Sequence, residues 1–145
     1  MKSINNFITE KIFINQNINI NEKLILNKNI KFKKYNYYPK DKEELKELID
    51  KLIDERGNNA DLNDIDTSDI TDMSKIFYKS EFDGDISNWD VSNVTNMYKM
   101  FTSSNFTGKN GDISNWDVSN VENTFAMFSF SPIRQNPPKW FKKFS

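Results

Sequence analysis

The chain has 145 residues, 37% of them hydrophobic, and a formal net charge of −1, a size that allows one compact domain and an additional arm. It contains neither cysteine nor histidine, which excludes disulfides, thiolate or His-ligated metal sites and nucleophile systems built on those residues. The charge is uneven, since residues 1–40 and 132–145 are basic whereas residues 57–131 carry twelve acidic residues and four lysines.

The first residues of the chain show helical spacing. Ile4, Phe7 and Ile8 predict a short amphipathic helix within residues 3–12, which needs a surface to lie on. No apolar run there is long enough for a secretory signal peptide or a membrane span, and a lipoprotein anchor would need a cysteine. We therefore expect a cytoplasmic or virion location rather than secretion.

An Asn- and Lys-rich stretch follows, in which basic and aromatic residues alternate. Lys31, Lys33 and Lys34 surround Phe32, a pattern that can bind nucleic acid through phosphate contacts and base stacking. The alternation of a half-buried strand explains the same residues. We interpret residues 1–38 as a basic arm, which either packs against the acidic middle of the chain or engages an acidic partner.

The most regular pattern in the chain predicts a helix over residues 42–56. Asp41 is a good N-cap, Glu44 follows it at capping-box spacing, and Gly57 provides the stop. The apolar stripe between these signals consists of Leu45, Leu48, Ile49, Leu52 and Ile53. We interpret residues 39–58 as a capping helix that covers the end of a stack of repeats.

Most of the remaining chain repeats itself. Residues 84–94 read GDISNWDVSNV and return unchanged as residues 111–121, and a weaker copy lies upstream. Alignment of the copies places Ile70, Val94 and Val121 in register. The third copy follows the second at a distance three residues longer than the distance between the first and the second. These three extra residues fall within one turn, as expected for stacked repeats.

Each copy is predicted to have two halves. Residues 85–89 of the second copy suggest a short extended segment, whereas the apolar spacing in residues 94–101 predicts an amphipathic helix of about two turns. Asp90 and Ser92 are placed to cap that helix. A helix this short is unstable alone, so the copies are expected to stack on one another.

Ordinary structural roles explain the distinctive residues of the repeat. Trp89 and Trp116 are expected in the core, and the Asp, Ser and Asn residues are expected to form turns with nearby backbone. The acidic residues match no EF-hand loop, because position 6 counted from Asp83 is Asn88 rather than Gly. We predict no cofactor and no small-molecule substrate, with calcium as the alternative for the acidic turns.

Residues 84–101, GDISNWDVSNVTNMYKMF, resemble the repeat of the BspA-like leucine-rich-repeat surface proteins, a bacterial family with members in gut phages. The resemblance covers residues 59–133 and implies a leucine-rich-repeat-like solenoid with adhesive or surface-binding function and no catalytic residues. The expected fold class is therefore α+β, a short solenoid of about three repeats with an N-terminal capping helix and an N-terminal arm. Residues 134–145, including Trp140, are expected to form a C-terminal cap.

The expected function is that of a non-enzymatic protein–protein interaction module, of adhesion or adaptor type, with a bacterial-surface or virion protein as partner. Stacked repeats present a face built from equivalent positions, on which Asn88 and Asn115 are the candidate contacts. An enzyme would need a cleft with paired carboxylates, whereas acidic residues that recur with the repeat point to a scaffold.

Two alternatives involve the arm. The opening residues resemble short N-terminal segments of gut-phage proteins, so the protein could be a virion structural or packaged cargo protein that docks through Ile4, Phe7 and Ile8. The second alternative is nucleic-acid binding through the lysines of the arm, Lys31, Lys33 and Lys34.

Overall fold

The computed structural model describes residues 35–145, of which Asn36–Ser145 pack as one unit. This part of the chain contains the α-helix α1 (Lys42–Arg56) and two 3-10 helices, η1 (Pro132–Gln135) and η2 (Lys139–Phe144). Its other residues form turns, bends and single bridges. None of the helices found here is long and apolar enough to cross a membrane.

The helix predicted over residues 42–56 is confirmed by α1. The carboxylate of Asp41 accepts the backbone N–H of Glu44 at 2.9 Å, and the carboxylate of Glu44 accepts the N–H of Lys40 at 2.8 Å. The first bond satisfies an N–H group that the first turn of a helix leaves free, and the second connects the residue before the N-cap to that turn. One side of the helix is buried in the core, through Leu45, Ile49 and Leu52.

The predicted repeat register is confirmed by parallel bridges between successive copies. Asp72 pairs with Asn96, and Asn96 pairs in turn with Asn123. A further bridge joins Asp61 to Asp85 in the first half of the repeat. Equivalent positions of the three copies therefore lie side by side.

The expected α+β leucine-rich-repeat-like solenoid is wrong, because residues 35–145 contain no strand and the second halves of the copies are not helical. A helix would direct successive N–H groups to carbonyls four residues back. Instead, the N–H groups of Met97, Lys99 and Phe101 donate to the third copy at 2.7 to 3.0 Å. The N–H groups of Met100 and Thr102 donate to carbonyls three residues back in their own copy. The result is a ladder of turns that runs across the copies.

Each copy contains two turns whose third residue has a positive φ, the mark of a type II turn. The six residues have φ between 50° and 58° and occupy the same two positions in every copy: Lys75 and Lys79, Lys99 and Ser103, Ala126 and Phe130. Glycine usually fills such positions because a Cβ costs about 1–2 kcal/mol there. Since none of the six is glycine, packing and hydrogen bonding between copies must offset this strain.

Aromatic rings fill the interior of the turn ladder. Phe77, Phe101 and Phe128 stack in a column with 5.4 and 5.7 Å between ring centroids. Phe82 and Phe106 form a second column at 6.3 Å. All five rings are buried, and each stacked pair adds about 0.5–1.5 kcal/mol to the effect of burial.

The tryptophans stabilise the other half of each repeat. Each indole N–H donates to a backbone carbonyl of the preceding copy: Trp89 to Leu62 (2.9 Å), Trp116 to Ile86 (3.3 Å) and Trp140 to Ile113 (2.9 Å). Trp89 and Trp116 are buried, which confirms the expectation that they belong to the core. Trp140 lies on η2, so this element repeats the tryptophan bond of the copies before it.

Glycine opens the repeat because the preceding copy passes too close for a side chain. A Cβ at Gly84 would clash with the backbone oxygen of Ala60, and one at Gly111 would clash with the carboxylate of Asp85. In the first copy, which no repeat precedes, Ala60 occupies the equivalent position. Close approach of the preceding copy, through its backbone at Gly84 and mainly through the Asp85 side chain at Gly111, therefore explains the glycine of the GDISNWDVSNV run.

Candidate interaction surface

The structure places two of the eight predicted partner-binding residues. Asn88 and Asn115 are exposed at equivalent positions of successive copies, and the backbone N–H of Asn88 donates to Asn63 Oδ1 at 2.8 Å. The other six lie outside the described residues: Ile4, Phe7, Ile8, Lys31, Lys33 and Lys34. Docking or nucleic-acid binding through these residues stays a prediction.

The Asp and Ser residues of the repeat bond to one another. The N–H and hydroxyl of Ser92 donate to the same carboxylate oxygen of Asp90 at 2.9 and 2.6 Å, and Ser119 bonds to Asp117 in the same way. The Ser119 donors lower the pKa of Asp117. The expectation that these residues form turns is confirmed. The expectation that Asp90 and Ser92 cap a helix is wrong, because a turn rather than a helix follows them.

The Asn residues that follow connect neighbouring copies. The side-chain amide of Asn93 donates to the carbonyl of Ser68 at 2.7 Å, and that of Asn120 donates to the carbonyl of Ser92 at 2.6 Å. These amides stabilise the stacking of the copies. Fewer of their groups are therefore available to a partner than the sequence suggested.

A different face of the turn ladder carries exposed aromatic rings. Phe125 and Phe130 have 68% and 82% of their surface exposed. The ring of Phe125 stacks on that of Tyr98 with 6.0 Å between centroids. We define the aromatic–lysine surface by these rings and their neighbours: Tyr78, Tyr98, Phe125, Phe130, Lys75, Lys79 and Lys99.

The turns explain why these side chains face outward. In the turn Met97–Met100 the first and last side chains are fully buried, whereas the corner residues Tyr98 and Lys99 are partly exposed. Phe125 stands at the matching corner of the third copy. Turn geometry thus directs one pair of side chains to the core and the other to the surface.

Three lysines lie against the tyrosines of this surface. The Nζ of Lys75 is 5.7 Å from the ring centroid of Tyr78 and 5.8 Å from that of Tyr98. Lys79 approaches Tyr78 at 5.3 Å, and Lys99 approaches Tyr98 at 5.2 Å. Each cation–π contact contributes about 0.5–1 kcal/mol at an exposed site. Because residues 57–131 contain only four lysines, the positive charge of the repeats is concentrated here.

The carboxylates of the described residues do not assemble into a metal site. Within residues 35–145, no group of three or more acidic side chains is placed to hold a metal ion. The acidic turns instead use their carboxylates to accept hydrogen bonds, as Asp85 does from the N–H and hydroxyl of Ser87 at 2.9 and 2.7 Å. Burial opposes ionisation of Asp85, but the Ser87 and Asn63 hydrogen bonds outweigh it and lower its pKa.

A protein-family profile described as "Mycoplasma protein of unknown function, DUF285" matches residues 44–143. The chain belongs to the DUF285 family. This match supports, at a coarse level, the resemblance of residues 59–133 to BspA-like surface repeats. No curated protein and no solved structure matches the chain.

Sequence reasoning missed the aromatic–lysine surface of this DUF285 protein. The signal was present in the comparison of copies, because one aligned position holds Ser74, Tyr98 and Phe125. Most core positions stay apolar in all three copies, whereas this position changes from polar to aromatic. A position that varies within an otherwise regular repeat is therefore a candidate for the surface.

Proposed function

We propose that this DUF285 protein is a non-enzymatic protein–protein interaction module, of adhesion or adaptor type, that binds its partner through the aromatic–lysine surface. The supporting observation is the 68% and 82% exposure of Phe125 and Phe130 beside five buried phenylalanines of the same repeats. Burying one such side chain contributes about 1.5–3 kcal/mol. Exposed aromatic rings on a rigid scaffold are typical anchors of protein interfaces.

The charge of the surface favours a partner with acidic groups around an apolar contact. Lys75, Lys79 and Lys99 hold their ammonium groups 5.2 to 5.8 Å from tyrosine ring centroids. Opposite charge on the partner would speed association and set its orientation, more than it would raise affinity. The proposed partner is a bacterial-surface or virion protein, with the DUF285 protein in the cytoplasm or in a virus particle.

The proposal is tested by site-directed photo-crosslinking. A photoreactive phenylalanine analogue at position 125 of the full-length protein captures the partner in extracts of the cells or particles that contain it. The variant Phe130→Ser, carrying the same analogue, should reduce capture about tenfold if Phe130 contributes a hot-spot contact. The matched control Asn88→Ala with Asn115→Ala should leave capture unchanged.

Deleting residues 1–34 separates this proposal from docking through the arm. The deletion ends before Tyr37, because Tyr37 forms a bridge with Ile65. We expect the shortened protein to capture the same partner. Capture that depends on residues 1–34 and not on Phe130 would contradict the proposal and favour a virion component docking through its N-terminus. Loss of capture by the variant Asn88→Ala with Asn115→Ala would also contradict the proposal and would indicate that the partner binds the face that carries these two asparagines.

A further inference from the structure

The turn ladder ends in a row of unpaired backbone N–H groups. In the first two copies, alternate N–H groups donate to the next copy at 2.7 to 3.0 Å. The equivalent groups of the third copy belong to Thr124, Ala126, Phe128 and Phe130, and none of them donates to an acceptor within residues 35–145. We name this row the donor edge. Such an edge is a template for pairing with another chain.

The residues that follow the third copy cover its core without pairing with the donor edge. The ring of Phe141 lies edge-on to that of Phe128 with 4.8 Å between centroids, so Phe128 is buried. Thr124 and Ala126 remain half-exposed, and Phe130 is exposed. Three of the four donors therefore belong to residues that a partner can reach.

Burial at the opposite end of the ladder disfavours a second copy of this chain as the occupant. Pairing in the same register requires carbonyl groups equivalent to those that accept in the second and third copies, which in the first copy belong to Asp72, Ser74, Ile76 and Tyr78. That end of the ladder is packed against α1, whose Lys42 donates to the Ser74 hydroxyl at 3.2 Å and lies 3.6 Å from the Asp72 carboxylate. Ser74 and Ile76 are buried at that end, so we assign the acceptors to a partner protein.

We infer that the donor edge binds an extended, acidic segment of a partner protein with apolar residues at alternate positions. This inference rests on the proposed function and specifies the chemistry of the partner. Carbonyl groups at alternate residues of the segment accept the N–H groups of Thr124, Ala126 and Phe130, as in the addition of a strand to a sheet edge. The alternate apolar side chains lie against Phe125 and Phe130.

Charge beside the donor edge selects an acidic segment. Residues 132–145 contain no acidic residue. Their four basic side chains belong to exposed residues: Arg134, Lys139, Lys142 and Lys143. Against them stands the single exposed carboxylate of Glu122, two residues before Thr124. The excess of positive charge attracts an acidic segment and repels a basic one, and salt weakens both effects.

The test titrates the full-length protein with synthetic peptides of about ten residues in a calorimeter. One peptide alternates Val and Asp, one alternates Val and Lys, and one has the composition of the first with Val and Asp in separate blocks. We expect the alternating acidic peptide to bind about tenfold more tightly than either control. It should also slow hydrogen exchange at the amides of Thr124, Ala126 and Phe130 by about tenfold.

The variant Thr124→Pro removes one donor of the edge. Because the Thr124 N–H has no acceptor within the described residues, its loss breaks no hydrogen bond of the fold, and we expect binding to weaken about tenfold. Thr124→Ser keeps the N–H and should bind like the natural protein. Hydrogen exchange of the unaltered protein provides the same information if the proline variant does not fold.

Three results would overturn the inference. They are failure of all three peptides to bind, equal binding of the acidic and basic peptides, and binding that protects amides outside the donor edge. Self-association of the protein through residues 124–130, seen as loss of exchange at these amides with rising protein concentration, would do so as well. None of these results affects the crosslinking test. There, the effect of Phe130→Ser on capture tests the proposed function independently of the peptide experiments.

Discussion

The two ends of the turn ladder solve the same problem differently. At the first copy, α1 supplies apolar side chains, and the backbone of Asn36 and Tyr37 forms hydrogen bonds with Asp64 and Asp66 in the first half of the repeat. At the third copy, η2 covers the core, while the donor edge has no acceptor among residues 35–145. The comparison shows that burying the last side chains and pairing the last backbone groups are separate requirements.

The end at the first copy is stabilised by polar as well as apolar contacts. The guanidinium of Arg56 donates to both carboxylate oxygens of Asp64 at 2.9 Å, and the side-chain amide of Asn36 donates to the same carboxylate at 2.8 Å. The Asp64 backbone carbonyl accepts the N–H of Asn36 at 2.8 Å. The Arg56 hydrogen bonds lower the pKa of Asp64.

The end at the third copy relies on aromatic packing. Trp140 stacks on Trp116 with 6.3 Å between centroids and repeats the indole hydrogen bond of the copies before it. Phe141 and Phe144 surround Trp140 in edge-on contacts. These side chains cover the core, but a 3-10 helix uses its own N–H and carbonyl groups internally. Within the part of the chain that the structure describes, η2 accepts none of the donor-edge N–H groups.

Removing the ring between the two ends should have the largest effect. Phe101 is buried and stacks on both Phe77 and Phe128, so Phe101→Ala should lower the free energy of unfolding by about 3–5 kcal/mol. The exposed Phe125→Ala should change it by about 0.5 kcal/mol or less. Urea denaturation measures both. Similar values for the two variants would mean that the column does not stabilise the ladder.

The two covering elements can be compared directly. Leu52 of α1 is buried, whereas Phe141 of η2 is only partly buried. We expect Leu52→Ala to cost about 2–5 kcal/mol and Phe141→Ala about half as much, in proportion to the apolar surface each buries. Thermal unfolding followed by circular dichroism measures the difference. A larger loss for Phe141→Ala would reverse our ranking of the two ends.

Acid should weaken the first end specifically. Because the pKa of Asp64 is lowered in the folded protein, its contribution is present above the unfolded carboxyl pKa of about 3.9 and is lost as the pH falls through the folded value. Asp64→Asn should therefore cost about 1 kcal/mol at neutral pH and nothing at the acidic limit. The exposed Asp69→Asn is the control. A cost for Asp64→Asn that did not change with pH would contradict the ion-pair explanation.

A glycine in the turn ladder should produce the smallest effect, and a stabilising one. Ala126 has φ 55°, so Ala126→Gly relieves the Cβ strain and should raise the free energy of unfolding by about 0.5 kcal/mol after the extra entropy of glycine is subtracted. Ala60 is buried and has no positive φ, so Ala60→Gly should destabilise. Differential scanning calorimetry would show opposite shifts of the transition temperature.

The parts that could be predicted from the sequence are those with local or repeated signals. α1 was predictable because Asp41, Glu44 and an apolar stripe specify its start and its buried side within one segment. The register of the repeats was predictable because the identical residues 84–94 and 111–121 must occupy equivalent environments. Neither inference needs knowledge of distant contacts.

The second halves of the copies could not be predicted in the same way. Val94, Met97, Met100 and Phe101 have a spacing that suits a short helix and a run of turns equally well. A helix of two turns is unstable alone, so the outcome depends on the partners of its N–H groups. The neighbouring copy supplies carbonyls to alternate N–H groups and thereby favours the turns.

The sequence by itself determined α1, the repeat register and the residues of the core, because these follow from local capping, periodicity and the burial of apolar side chains. Only the tertiary structure decided that the copies form a turn ladder, that Phe125 and Phe130 face solvent, and that the donor edge finds no acceptor among residues 35–145. These features depend on which backbone groups of successive copies meet, such as the N–H of Met73 with the carbonyl of Asn96 and the N–H of Met97 with the carbonyl of Asn123. A single copy, considered alone, contains no information about its neighbour's carbonyls.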